Sequence, residues 1–240
     1  MRNIKVMAGL FVAASLPVAA DAIQLTDELT LGITPGVVSD YRSMGTSRSY
    51  GKPAVQLDVN LAHSSGAMVG VWGSSIDYNT KTRLEQGYYL GYFKQITENI
   101  DVLLTVGRYE YPESSFLNTN EFYGYVDFYG FRYGYLYDWG LKYSPNAAAH
   151  FIGYNLPLPN GFNLYAQYGY DDTNVDIMSA NGSSRQAYRD WKLSLSRTFW
   201  NMDWTVSYVD NDISKGECNY LFGDNKFCKP TVTLGVKKTF

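Results

Sequence analysis

The histidine and serine residues are the first place to look for chemistry in this chain. It contains two histidines, and one of them, His63, is followed directly by Ser64 and Ser65. A histidine within reach of a hydroxyl can act as the base of a nucleophilic site. His63, however, continues the apolar face of a predicted strand beside a short turn, which favours an interfacial side chain at the level of lipid headgroups. His150 lies among alanines without an identifiable partner, so the sequence predicts no catalytic residue and no enzyme.

The acidic segment that starts at Asp210 is the nearest approach to a metal site. It resembles a calcium loop, but Gly216 comes one position late and Leu221 stands where such a loop carries its glutamate. An acidic surface loop is the better interpretation. The sequence therefore predicts neither a metal nor a cofactor.

The two cysteines, Cys218 and Cys228, lie in one long polar stretch near the end of the chain. Their spacing is not Cys-x-x-Cys, which disfavours a reactive thiol pair. Export to an oxidising compartment would allow them to form a structural disulfide.

Polar residues that could act on a solute alternate with apolar residues along short segments. In one of them, Val55, Leu57 and Val59 alternate with Gln56 and Asp58. Because side chains alternate across a strand, such a segment has one apolar and one polar face. Twelve segments of this kind are predicted to be strands, near residues 28–36, 54–63, 67–76, 85–95, 100–110, 120–129, 131–138, 146–156, 162–170, 188–198, 203–210 and 230–240.

The connections between these segments carry a second signal. Short turns such as Ser64–Gly66 alternate with longer polar stretches near 37–53, 77–84, 111–119, 139–145, 171–187 and 211–229. Short turns on one rim and long loops on the other are typical of an outer-membrane barrel. We therefore predict an all-β, transmembrane, antiparallel up-and-down β-barrel of about twelve strands, with short periplasmic turns and long extracellular loops. Ten or fourteen strands, and a soluble secreted barrel or sandwich, are the alternatives.

The two ends of the chain fit this prediction. Arg2 and Lys5 precede an apolar stretch too short to span a bilayer, and small residues follow it, so residues 1–22 are predicted to be a signal peptide and residues 23–240 the barrel domain. The last ten residues alternate as one strand that ends on Phe240, a common final residue of outer-membrane barrels. The net charge of −3 does not indicate the excess of basic residues that is typical of a nucleic-acid-binding protein.

The alternation assigns a set of polar side chains to the interior of the barrel. They could flank a water-filled pore and bias the charge of the solute, or hydrogen-bond to one another across a filled interior that conducts nothing. The candidate pore-lining residues are Gln56, Asp58, Asn60, Arg132, Asn163, Gln167, Lys192, Ser194, Ser196, Thr231, Thr233 and Lys237.

Two stretches near the first long loop carry a more specific pattern. Residues 38–42 read VSDYR and residues 51–56 read GKPAVQ, and the following hairpin contains HSSG at 63–66 and GVWGS at 70–74. This pattern resembles the opening of the TorF family of porins, and the similarity runs from about Leu29 to Phe240. The resemblance implies an outer-membrane barrel and carries no catalytic residues.

The first long loop is also a candidate constriction. It contains the charged residues Asp40, Arg42, Arg48 and Lys52, with glycines that permit tight bends. The loop could fold inward and narrow the pore, or it could be a solvated loop whose charges pair locally.

The function predicted from the sequence is a porin-like channel in a Gram-negative outer membrane that passes small hydrophilic solutes by diffusion. The alternatives are a non-conducting structural or surface-interaction barrel and, third, a lipid-modifying enzyme. The expected partners are outer-membrane lipid and lipopolysaccharide, the solutes, the barrel-assembly machinery and, in a homo-oligomer, further copies of the chain.

Overall fold

The computed structural model describes residues 22–240, so the predicted signal peptide, apart from its last residue, lies outside the described residues. Twelve antiparallel strands form the barrel, and each pairs with its neighbours in the sequence. The first strand also pairs with the last, which closes the sheet. The predicted fold and strand number are thus confirmed. The strands are β1 (Leu29–Val38), β2 (Ala54–His63), β3 (Ala67–Ser75), β4 (Leu84–Thr97), β5 (Ile100–Glu110), β6 (Thr119–Phe128), β7 (Phe131–Trp139), β8 (Ala147–Pro157), β9 (Phe162–Met178), β10 (Ser184–Phe199), β11 (Met202–Asn211) and β12 (Thr231–Lys237).

The terminal segment completes the closure of the barrel. Strand β12 ends at Lys237, three residues before the predicted end, but the backbone of Phe240 continues the pairing. Its N–H donates to the carbonyl of Ile33 at 2.9 Å, and the N–H of Ile33 donates back at 3.0 Å. These bonds satisfy backbone groups that an open sheet edge would leave without partners.

The outward face of the barrel is apolar and largely exposed. Leu90, Ile152 and Val232 are each exposed by more than 60%. Aromatic residues collect at the end of the barrel that carries the short turns, where Phe131 is 62% and Trp200 is 74% exposed. An apolar band bordered by aromatic rings is the pattern that lipid selects on a barrel surface.

The short connections are tight hairpins, and we call their rim the short-turn end. Tyr129–Gly130 and Trp200–Asn201 each join two strands with both residues at positive φ. This backbone conformation matches the twist of a two-residue hairpin.

The structure corrects the prediction at the opposite rim, the long-loop end. Strand β9 continues to Met178 and β10 begins at Ser184, so most of the predicted loop 171–187 is strand. The last long loop contains a helix, α1 (Lys215–Phe222), which the sequence analysis did not predict. The two-residue strands Arg42–Ser43 and Thr46–Ser47 form a small hairpin within the first long loop.

The helices of the described residues are all short, and none could cross a membrane.

Candidate functional site

The interior of the barrel encloses a cavity of about 1090 Å³. At the short-turn end, Gln95, Gly161 and Asp203 line it, and at the other end it stops at residues 40–45 of the first long loop. Strands β9–β12 contribute a wall of hydroxyl groups, including Ser194 and Ser207, whose side-chain oxygens lie 2.8 Å apart. The cavity is therefore polar on one side and ends at the loop.

Nine of the twelve candidate pore-lining residues line this cavity. They are Gln56, Arg132, Asn163, Gln167, Lys192, Ser194, Ser196, Thr233 and Lys237. The other three, Asp58, Asn60 and Thr231, do not. The two oxygens of Asp58 accept hydrogen bonds of 2.8 Å from Tyr89 and Asn60, so this carboxylate is hydrogen-bonded to other side chains of the barrel wall. Thr231 stands opposite Val209 at the start of β12, beyond the lining residues of that strand.

The cationic side chains of the cavity are held by carboxylates and tyrosine rings. Arg132 makes two hydrogen bonds to Asp127, at 2.6 and 2.5 Å, and its guanidinium lies 3.9 Å from the centre of the Tyr125 ring. Lys192 lies 5.4 Å from the ring centre of Tyr165. A bidentate pair under an aromatic face is a rigid arrangement. Arg132 is thus fixed in place.

The first long loop lies inside the barrel. Asp40, Arg42 and Arg48 are at most 7% exposed, whereas Lys52 lies at the exposed edge and pairs with Asp77 at 2.7 Å. The local pairing that the sequence suggested does occur, because Arg42 donates to Asp40 at 2.6 Å. Residues 40–49 are nevertheless buried rather than solvated, except that Met44 is partly buried.

The hairpin of residues 42–47, which we call the plug hairpin, docks on the wall formed by β10 and β11. Tyr188 donates to the backbone oxygen of Met44 at 3.0 Å, and Asn211 donates to that of Gly45 at 2.8 Å. Gly45 has a φ of +72°, and a Cβ there would meet the Cβ of Asp190 at 2.7 Å. The hairpin approaches the wall so closely that only glycine fits at its tip.

Arg48, in the first long loop, places a positive charge in the interior of the barrel at the long-loop end. Its Nη1 donates to the hydroxyl of Tyr78 at 3.2 Å. Burial lowers the pKa of Arg48, but Tyr78, Tyr111 and Glu85 outweigh this effect and raise it, so the guanidinium stays charged. A buried permanent charge of this kind is costly unless the fold surrounds it with acceptors.

The last long loop covers the plug from outside. Cys218 and Cys228 form the predicted disulfide. Ser214 and Glu217 form a capping box at the start of α1. Burial raises the pKa of Glu217, but hydrogen bonds from Arg185 and Ser214 outweigh it, so the net pKa is lowered.

Contacts between the first and last long loops complete this closure. The hydroxyl of Tyr50 donates to Asp224 at 2.5 Å, and its ring centre lies 5.0 Å from that of Phe227. Phe227 belongs to a cluster of buried side chains that includes Tyr41, Tyr111 and Tyr188, and Tyr50 packs against it. Packed side chains therefore occupy the interior at the long-loop end.

The histidines lie on the outside of the barrel. His63 Nδ1 lies 2.9 Å from the hydroxyl of Ser65 and its Nε2 lies 3.4 Å from Glu28, where His63 is partly exposed and Glu28 is largely exposed. His150 contacts the hydroxyl of Tyr133 at 2.8 Å. No group of three or more acidic, histidine or cysteine side chains within residues 22–240 is arranged to hold a metal.

Five carboxyl groups that the alternation did not single out project into the interior near the long-loop end. All are at most 4% exposed. We call them the acidic belt, and they are Glu85, Glu121, Asp138, Asp171 and Asp190. The alternation that placed Arg132 inside also places Asp138 inside, six residues further along β7, so extending the strand pattern to the ends of the strands would have identified part of the belt.

The closed barrel, its apolar exterior and its polar interior define the protein as a porin-like β-barrel. Two solved porins share the fold. One is the "KdgM porin in complex with disordered oligogalacturonate", at 8% identity and a TM-score of 0.51, covering 87% of this chain and 99% of that one. The other is the NanC porin, at 12% identity and a TM-score of 0.52, covering 87% and 98%. At these identities the likeness shows the fold alone.

The chain belongs to the family described as "Bacterial protein of unknown function (Gcw_chp)", whose model matches residues 24–240. This match does not carry the TorF name, and what is confirmed of that resemblance is the porin-like fold. A search of curated proteins finds no match.

Proposed function

We propose that this protein is an outer-membrane channel for the passive diffusion of small hydrophilic solutes and that the plug hairpin is its gate. The cavity carries the proposal, because it runs from the short-turn end to residues 40–45 and is lined by charged and hydroxyl groups. Such a lining replaces the hydration shell of a polar solute at low cost. Withdrawal of the hairpin would join the cavity to the long-loop end.

The charges along the cavity supply the filter of the proposed channel. Lys192 interacts with Asp190, and Lys237 interacts with Asp203 and Asp58. Such pairs set a field across the lumen that a passing solute experiences at close range. They act on the solute through its charge, and no bond needs to form or break.

The proposed location is the Gram-negative outer membrane. The exposed apolar band supports it, since such a surface requires lipid. Export through the predicted signal peptide, insertion by the barrel-assembly machinery and contact of the long loops with lipopolysaccharide belong to the same proposal. Association into homo-oligomers also remains a prediction.

The second candidate is a non-conducting barrel that works through its long loops. The buried cluster at the long-loop end favours it, because packed side chains fill the interior of the barrel there. A permanently closed barrel would have the same fold and the same exterior.

Recording from planar bilayers separates the two candidates. The wild type is compared with a variant in which Gly-Gly replaces residues 42–47. The N–H of Arg48 donates to the carbonyl of Tyr41 at 2.7 Å, so the ends of the deletion are already adjacent and the barrel should keep its fold. We expect rare conductance steps from the wild type and frequent ones from the variant. A folded variant that stays silent would favour the non-conducting barrel.

A further inference from the structure

The acidic belt gathers five carboxyl groups around one level of the barrel interior. Glu121 and Asp138 are direct partners in the pairing of β6 with β7. On β9 and β10, Asp171 pairs with Tyr188 and Asp190 pairs with Gly169, so the two aspartates are diagonal neighbours on the same inner face. Glu85 accepts a hydrogen bond from Tyr111 at 2.9 Å. The belt therefore surrounds the interior from three directions rather than forming one surface patch.

The guanidinium of Arg48 lies within electrostatic reach of this belt. It interacts electrostatically with Glu85, Asp138 and Asp171, which stand on three different strands. It is 2% exposed, and it enters from the loop rather than from the wall. A side chain from the first long loop, next to the plug hairpin, thus faces a site that the wall provides.

The belt contains buried acceptors that Arg48, whose side chain donates to Tyr78, leaves without a hydrogen bond. Neither oxygen of Asp138, which is 0% exposed, makes a hydrogen bond of normal geometry, although Glu121 stands beside it. Oδ2 of Asp171 makes none either. Buried acceptors of this kind favour a ligand that brings several N–H donors together with positive charge.

The groups around Arg48 also indicate the shape of that ligand. The phenol rings of Tyr41, Tyr78, Tyr111 and Tyr188 pack in the same buried cluster. A planar guanidinium offers its edge to carboxylates and its faces to aromatic rings, and an ammonium group can use the same acceptors with fewer donors. An anionic solute would meet five carboxyl groups there.

We propose that the acidic belt is a binding site for solutes that carry a guanidinium or primary ammonium group, and that Arg48 occupies it in the closed state as a tethered competitor. This inference rests on the proposed channel function. The open channel passes cations in preference to anions, and an organic cation competes with Arg48 for the belt. Its binding therefore favours the withdrawn position of the loop.

Binding of methylguanidinium to an Arg48→Ala variant, measured by isothermal titration calorimetry on the refolded barrel, tests the site without requiring conduction. We expect saturable binding to this variant and none to the wild type, whose own guanidinium fills the belt. Asp171→Asn in the Arg48→Ala background should weaken binding about tenfold, since a hydrogen bond to a charged group is lost. Asp172→Asn is the matched control, because the neighbouring residue carries the same charge on the opposite face of β9.

A folded Arg48→Ala barrel that binds no methylguanidinium would overturn the inference, as would equal effects of the two asparagine variants. If Arg48→Ala does not fold, a variant with residues 42–48 replaced by Gly-Gly, which also removes Arg48, takes its place in bilayers. There we expect a reversal potential that favours K⁺ over Cl⁻ and current block by methylguanidinium but not by urea. Anion preference in a conducting barrel would refute the belt and leave the channel standing, whereas a silent, folded barrel would refute the channel itself.

Discussion

Gly45→Ala is the smallest change that should release the plug hairpin. Gly45 has a φ of +72°, and a Cβ at this position would lie 2.7 Å from the Cβ of Asp190 and 3.0 Å from the backbone oxygen of Asp210. The backbone oxygen belongs to the wall and cannot rotate away. The docked position of the hairpin must therefore shift or be lost.

The expected size of the effect follows from these contacts. A left-handed conformation costs a residue with a Cβ about 1–2 kcal/mol, and overpacking against the wall costs about 1–3 kcal/mol more. The hydrogen bonds from Tyr188 and Asn211 that hold the hairpin contribute about 1 kcal/mol each. The penalty is thus at least as large as the contribution of these bonds. At about 1.4 kcal/mol per tenfold, the undocked population should rise at least about thirtyfold.

Thiol labelling at residue 43 measures this population directly. Ser43 lies in the hairpin and is 3% exposed, so a cysteine at this position should react with a maleimide only while the hairpin is undocked. We expect Gly45→Ala to raise the labelling rate of Ser43→Cys at least about thirtyfold and to make channel openings more frequent. The control is Gly182→Ala, which has a similar φ of +85° but nothing within 4 Å of the added Cβ. Unchanged labelling in Gly45→Ala, or an equal rise in the control, would refute the docking of the hairpin through its tip.

Three further predictions concern the filter and the outer cap. Lys192→Met should shift the reversal potential towards K⁺, because it removes a positive charge from the lining of the cavity; an unchanged reversal potential would contradict this. The folded pKa of Glu217 is lowered, so its contribution to α1 is present above the unfolded pKa of about 4.3 and is lost as the pH falls through the folded pKa. The rate of hydrogen exchange of residues 212–222, corrected for its intrinsic pH dependence, should therefore rise below about pH 4. Glu217→Gln should remove this rise. The same pH profile in the wild type and the variant would argue against the pair of Glu217 with Arg185. Replacing both cysteines by serine should cost the last loop about 3 kcal/mol, the entropic value for a ring of this size, while the barrel keeps its thermal transition on SDS gels; loss of the barrel itself would show that the loop does more than cover the plug.

The barrel could be predicted from the sequence because each strand repeats one simple rule. Lipid outside and water inside require strict alternation, and Val55 to Asp58 already show it. The turn at Leu158–Gly161 and the two-residue turns contain glycine, asparagine or proline, which are typical of turns. Local signals of this kind need no knowledge of distant contacts.

The ends of β9 and β10 could not be predicted in the same way. Beyond Asp171, polar Asp172, Asn174 and Asp176 replace the apolar residues on the outer face of β9, so the alternation that lipid demands disappears although the backbone pairing continues. Ile177 and Arg185 still pair across the two strands after a register shift. Pairing outside the bilayer depends on the partner strand and leaves little pattern in one sequence.

The sequence indicates that the loop containing the plug hairpin is charged, but it does not predict where the hairpin docks. The charges of the first long loop were visible, yet Met44 meets Tyr188 and Gly45 meets Asn211 across more than 140 residues of chain. The same holds for Arg48, whose acidic neighbours come from separate strands. Contacts of this range are fixed by the closed barrel, which brings distant strands around the loop.

The most direct test of the central claim compares two adjacent residues of β10 in lipid vesicles. Leu195 belongs to the apolar outer face, and Ser196 lines the cavity. Each is replaced in turn by cysteine and labelled with an environment-sensitive fluorophore. We predict that brominated lipid quenches the label at residue 195 and that aqueous iodide quenches the label at residue 196. Quenching of both labels by iodide alone, in a folded protein, would contradict a barrel with lipid outside and water inside.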